Sequence, residues 1–339
     1  KDKSQAKHMV SGWTIALTLD ALNTFIDDLK DTSFDTSLAK DMYDKMLADF
    51  NKYLIKDNVP VGFLNYNNGE IEYMLHPLDN KSHIRYRLLP LTRGMIASLY
   101  NKKQVKDYLN IMDEYLMYPD GIRLMSDAIK YKGGKNELFN RAETAANFGR
   151  EIGLLYVHAH IRYLEAMAKI GENARLYEGL NMICPILIKD SVSNALTRQG
   201  NVYFSSSDGD FYNRYEANES FNKLKTKEVN VKAGWRLYSS GPGIYLHQLY
   251  SKFFGINVLN DGLYLDPILS KNVNNSKVEF TYNNKHITIN YHVLTEKSTI
   301  NEVKVNDKIF TNSNTDTYRN SGLFVPFIDG DMNIEVYCK

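Results

Sequence analysis

The chain is poor in the features that announce many protein classes. It has two cysteines, Cys184 and Cys338, in 339 residues. Thiols so few and so far apart exclude a disulfide-stapled scaffold and a cysteine-based zinc site. No apolar run reaches the ~18–20 residues that a membrane-spanning helix needs. Lys1 to His8 is polar, so no secretory leader is visible there. An excess of one charge is lacking too: 41 Lys and Arg face 40 Asp and Glu, a net charge of +1. That balance offers no electrostatic footprint for nucleic acid or an anionic membrane. HExxH does not occur, and Gly133-Gly134 alone is a weak signal for a nucleotide loop. No unit of roughly 30–50 residues recurs, which argues against a regular solenoid. These absences point to a reducing cytoplasm, no metal, no organic cofactor and no nucleic-acid partner.

What the chain does have is size, aromatic residues and a change of pattern. A chain this long can bury a large core and suggests two domains. The 24 Tyr and 15 Phe supply faces that suit sugar rings as well as an ordinary core. The first residue is Lys, and a helix pattern opens almost at once, near Met9. The chain therefore reads as the back part of a longer protein or as one that has lost a leader or tag.

Up to Gly255 helical periodicity dominates. Ile15, Leu19, Leu22, Phe25, Ile26 and Leu29 recur at three- and four-residue spacing, and Leu38, Met42, Met46, Phe50 and Leu54 repeat the pattern. Met95 to Leu116 reads as two helices broken around Asn101. Leu154 to Ile170 reads as a long helix ending at Gly171, followed by Leu176 to Ile188. Paired helices with short loops suggest an α/α toroid. From 256 onward the period is two: Val278–Tyr282, His286–Val293, Ile300–Val305 and Asn333–Tyr337 alternate. Asn283-Asn284 and Asn306-Asp307 are turn signals between them. The expectation is a mostly α chain with a C-terminal antiparallel β domain, divided as 1–255 and 256–339.

Three clusters carry chemistry. In Tyr238-Ser239-Ser240-Gly241-Pro242-Gly243, two hydroxyls and a glycine precede a proline that suits a first helical turn. A helix start of this kind exposes N–H groups to an anion, although a plain Ser cap on a buried helix reads the same way. In the second cluster, His158 and His160 are two apart, so on a helix they point roughly 200° apart and cannot share a metal. Either could face a cavity. Arg150-Glu151 lies upstream, and the seven-residue step from Glu151 to His158 returns to one helix face. The third cluster, Tyr203 to Glu216, mixes hydroxyls, acids and aromatics. Such a composition fits a carbohydrate cleft and also a solvated loop.

Together the clusters resemble the inverting phosphorylases of glycoside hydrolase family ninety-four. The residues that carry the likeness are Met9–Thr18, His158-Ala159-His160-Ile161-Arg162-Tyr163, Val202–Asp208 and Tyr238–Tyr245. The resemblance implies part of an (α/α)6 barrel followed by an antiparallel β-sandwich. It implies reversible phosphorolysis of β-1,2-glucooligosaccharides to α-glucose 1-phosphate with inversion, inorganic phosphate being the co-substrate. It implies phosphate contacts from His158, Arg150 and Ser240-Gly241, with Ser239 in play if the register slips by one. Glu151, Tyr203, Asp208, Arg214 and Glu216 would bind sugar hydroxyls. One motif is missing. The family's general acid is an Asp in a Gly-Asp-Trp-type motif shortly before the helix that opens near Met9, and Lys1-Asp2-Lys3 does not match it. The acid is thus expected upstream of Lys1, along with the rest of the barrel, as a longer chain or a partner subunit. A homodimer is another way to cover the open barrel face. Two other readings stay open: the phosphorylase-like domain of a cyclic β-1,2-glucan synthase, and a non-catalytic glycan-binding protein.

Overall fold

The computed structural model describes residues 7–133, 135, 137–139, 141–144, 155–184, 186, 188–196, 208–232, 241–296, 299–311 and 322–339. A short strand, β1 (Met9–Ser11), leads into α1 (Gly12–Leu29). Ser11 caps this helix, its side chain accepting from the Thr14 N–H at 3.4 Å. Ala16 and Leu19 on its apolar stripe are fully buried. α2 (Ser37–Asp49) packs beside it and closes in a π turn, Phe50–Leu54. The hairpin of β2 (Ile55–Lys56) and β3 (Val59–Pro60) follows. β4 (Phe63–Asn67) and β5 (Glu70–Met74) then join β1 in a three-stranded antiparallel sheet. This small sheet inside the helical part was not among the expectations.

α3 (Leu88–Ile96) lies on α1, and Arg93 bridges back to Asp20 at 2.8 Å. α4 (Lys102–Ile111) begins at a capping box, in which Asn101 and Gln104 satisfy each other's backbone N–H groups. α3 has ended at Ile96, and the box opens α4 at the break that the sequence pattern places around Asn101. Next come the hairpin of β6 (Met117–Tyr118) and β7 (Gly121–Ile122), then α5 (Arg141–Thr144) and α6 (Val157–Ile170). Gly171 ends α6 with φ 78°, its N–H bonding Ala168 while the Glu172 N–H reaches Met167. This is the left-handed C-terminal turn that glycine permits. α7 (Asn173–Ile183) and α8 (Ile188–Ser191) follow. β8 (Asp208–Gly209) and β9 (Val231–Lys232) pair around α9 (Arg214–Ser220). α10 (Gly241–His247) continues into a π turn, Gln248–Phe253.

Strands take over after Gly255. β10 (Ile256–Val258), β11 (Gly262–Leu265) and β16 (Leu323–Pro326) form one sheet. β12 (Ser276–Tyr282), β13 (Lys285–Val293), β14 (Ile300–Val305), β15 (Lys308–Thr311) and β17 (Met332–Cys338) form another, in the order β12-β13-β17-β14-β15. Both turn signals hold: Asn283 and Asn284 join β12 to β13, Asn306 and Asp307 join β14 to β15, and all four have positive φ. Such two-residue turns match the right-handed twist of their strands. One expectation needs correction. β17 runs parallel to β13, so the five-stranded sheet is mixed and not purely antiparallel. Alternation tells which face a residue takes, not which strand lies next to it. The last strand returns from a distance and inserts between β13 and β14.

The chain forms two compact units, one from Lys1–Arg162 with Met182–Leu237 and the other from Tyr163–Asn181 with Tyr238–Lys339. α7 and α10 therefore group with the strands. Within that unit Asn173 bonds the Leu269 carbonyl at 2.7 Å and Tyr291 the Phe254 carbonyl at 2.7 Å. Cys184 and Cys338 are free thiols, and burial pushes Cys338 up to about 12. Among the described residues no helix is long and apolar enough to cross a membrane.

Candidate functional site

The first turn of α6 separates its two histidines as helix geometry requires. His160 is fully buried, and its Nδ1 accepts from the Ile122 N–H at 3.1 Å. The fit there is tight. Gly121 has φ 128°, and a Cβ at that position would lie 2.8 Å from His160 Nδ1 and 2.8 Å from Leu155 Cδ1. His160 thus locks α6 to the β6–β7 hairpin. His158 is half-buried, with Nδ1 2.7 Å from the Tyr156 hydroxyl. Of the two imidazoles, His158 is the one open enough to meet a ligand.

Beneath this turn sits a buried ion pair that composition and spacing do not single out. Arg123 Nη2 lies 2.7 Å from Asp120 Oδ1, at side-chain exposures of 0% and 1%. The guanidinium also covers the Tyr118 ring at 4.3 Å. Burial raises the Tyr118 pKa. The Arg123 Nε has no hydrogen-bond partner, a cost the fold carries. The available signal was a charge inside the apolar run Ile122-Arg123-Leu124-Met125. Glu143 is a second buried charge that sequence reading missed. Its carboxylate accepts from the N–H groups of Glu137, Leu138 and Phe139 at 2.7, 2.9 and 3.1 Å. Arg87, half-buried, is set against the start of α1. It donates to the Gly62 carbonyl at 3.2 Å and lies 4.4 Å over the Phe63 ring, and burial lowers its pKa to about 10.

The acidic and aromatic loop leads into α9. Asn213 caps that helix, accepting from the Tyr215 and Glu216 N–H groups at 3.0 Å each. Glu216 is exposed and accepts from the Tyr212 N–H at 2.6 Å, while Tyr212 is 93% exposed. Arg214, expected to reach sugar from a solvated loop, is placed in the interior at 2% exposure. It donates to the carbonyls of Ile129 and Ala142 at 2.8 and 3.1 Å, and burial lowers its pKa. In this arrangement it ties two backbone segments together. In the backbone register of β8 and β9, residue Asp208 lies opposite Lys232. Gly241 is buried and opens α10, with Pro242 second in the helix, as expected of a proline in a first turn. Arg150, Glu151, Tyr203, Ser239 and Ser240 lie outside the described residues.

The structure also holds an apolar groove of about 790 Å³ between α1, α2 and the first sheet. Val10, Ile15, Met42, Phe50, Leu64 and Ile71 line it, with Lys45 and Asp49 as its charged groups. It contains none of the residues expected to meet phosphate or sugar.

Comparison with known proteins bears on the same residues. Residues 255–329 match the family described as a glycoside phosphorylase C-terminal domain. Over 323 residues, 94% of this chain, the sequence is 44% identical to a 1,2-β-oligoglucan phosphorylase of Listeria innocua. The chain spans 29% of that protein's length.

Proposed function

We propose that this chain is the C-terminal part of an inverting phosphorylase that cleaves β-1,2-glucooligosaccharides with inorganic phosphate. The 44% identity over nearly the whole chain to a 1,2-β-oligoglucan phosphorylase carries this reading. The C-terminal domain match and the half-buried His158 at a helix start support it. On this reading the helices are part of an (α/α)6 barrel, the strands form a β-sandwich, and the protein works in the cytoplasm.

Inverting phosphorolysis needs one acid to protonate the leaving glycosidic oxygen. Phosphate is already anionic and needs no general base. The protein must hold it in line with the anomeric carbon. His158, Arg150 and the Ser239, Ser240 and Gly241 helix start are proposed for that cradle. Glu151, Tyr203, Asp208 and Glu216 are proposed for sugar hydroxyls, and Arg214 for the frame that supports them. No residue of this chain fits the acid motif, so the acid is proposed to come from sequence outside it.

Release of α-glucose 1-phosphate from β-1,2-glucooligosaccharides and phosphate tests the proposal. Losing a general acid costs roughly 10²–10⁴-fold, so the chain alone should be nearly inactive. Joined to the N-terminal part of a phosphorylase, it should turn over, and His158→Ala there should weaken phosphate use more than glucan binding. Turnover by the chain alone in the common enzyme range of ~1–10³ s⁻¹ would disprove the placement of the acid. Inactivity of the joined protein would overturn the proposal.

A further inference from the structure

Tyr156 and His158 are two residues apart, a spacing that on a continuous helix points side chains roughly 200° away from each other. They meet because Tyr156 is not helical. It immediately precedes α6, and its carbonyl accepts from the His160 N–H at 3.1 Å, the first bond of the helix. From that capping position its ring crosses the first turn and meets the imidazole edge-on. The ring centroids are 5.3 Å apart at 82°, and the phenolic oxygen is 2.7 Å from Nδ1.

We propose that Tyr156 is the positioning residue for His158: its hydroxyl donates to Nδ1, so the neutral ring carries its hydrogen on Nε2. The proposal rests on the reading of His158 as a phosphate contact. Phosphate oxygens are acceptors, so a neutral imidazole must offer them an N–H. Only one of its nitrogens carries a hydrogen, and the partner of the other decides which. A phenol donating at Nδ1 settles that choice. It also fixes the ring's rotation, because turning the ring would break the bond, so Nε2–H keeps one direction. The neighbouring imidazole shows the same pattern, since His160 Nδ1 also accepts, from the Ile122 N–H. Both histidines of α6 are thus held by an acceptor role at Nδ1, one by a main-chain donor in the core and the other by a phenol.

Nitrogen NMR of the 339-residue chain with ¹⁵N-labelled histidine, above the pH where His158 protonates, reads the tautomer directly. His158 Nδ1 should show the shift of an unprotonated acceptor, with the hydrogen on Nε2. Tyr156→Phe keeps the ring packing and removes only the hydroxyl. The Nδ1 signal should then move, and affinity for inorganic phosphate should fall about 2- to 10-fold, the size of one hydrogen bond. Affinity for β-1,2-glucooligosaccharides should stay unchanged. A wild-type His158 with its hydrogen on Nδ1 would overturn the proposal, and so would a Tyr156→Phe variant whose Nδ1 signal does not move. Undiminished phosphate affinity in His158→Ala would instead overturn the phosphate reading. The nitrogen signature is recorded without phosphate, so the two failures are distinguishable.

Discussion

The Asp120–Arg123 pair offers the sharpest test of how the candidate site is held. Both side chains are essentially inaccessible, and their closest atoms are 2.7 Å apart. At an effective dielectric of ~20 and a separation of ~4 Å, two unit charges attract by about 4 kcal/mol. Desolvating each ion costs several kcal/mol, so the intact pair contributes little net stability. Removing one member is different, because the other charge stays buried. Asp120→Asn and Arg123→Met should therefore each destabilise by about 3–5 kcal/mol. Domain stabilities run at about 5–15 kcal/mol, so either change removes a large share. The double variant removes both charges and also the Arg123 Nε that has no hydrogen-bond partner. It should lie within about 2 kcal/mol of wild type, far from the sum of the single costs. Urea denaturation gives the order of the four proteins. Hydrogen exchange at residues 117–123 and in the first turn of α6 shows where the damage falls, which matters because a chain of two units need not unfold in one step. Single losses below about 1 kcal/mol, or a double variant as unstable as the sum of the singles, would show that the pair does not act as a buried unit.

Acid should destabilise the first unit in two stages. His76 is 1% exposed; its Nδ1 accepts from the Leu78 N–H at 3.2 Å and its Nε2 lies 3.0 Å from the Lys56 carbonyl. Burial lowers its pKa, so its contribution is complete above the unfolded value of ~6.5 and is lost as pH falls through the folded value. Burial alone would raise the Asp79 carboxyl. Bonds from the Ser82 hydroxyl and the N–H groups of Leu75, Ser82 and Lys81 outweigh it and leave a net lowering. That contribution is complete above ~4 and is lost below. Urea midpoints measured across pH should show both stages, and a first stage that persists in His76→Gln would clear His76 of it. The groove lined by Met42 and Ile71, with Leu38 71% exposed beside Met42 at 47%, should take up a fluorescent apolar dye. Met42→Glu should cut that signal with circular dichroism unchanged, whereas a monodisperse monomer that binds no dye would show that the groove is closed in solution.

Local chemistry was legible in the sequence. Asn101 and Gln104 open α4 because their side chains satisfy backbone groups within four residues. Gly171 stops α6 because a left-handed turn costs glycine little. Asn283-Asn284 and Asn306-Asp307 close hairpins for a similar reason, and period-two alternation marked the buried faces of β13, β14 and β17. That His158 and His160 take different sides of α6 follows from their two-residue spacing. Tertiary structure decided what depends on partners far along the chain. It set β17 parallel to β13, drew Arg214 inward to carbonyls 85 and 72 residues away, and brought the Ile122 N–H to His160 across 38 residues. It also put Tyr156 outside the helix expected over Leu154–Ile170, where its hydroxyl meets His158. A pattern of polar and apolar residues states which groups must leave water. It does not state which distant donor or acceptor will replace the water, because that choice is made only when the whole chain has packed.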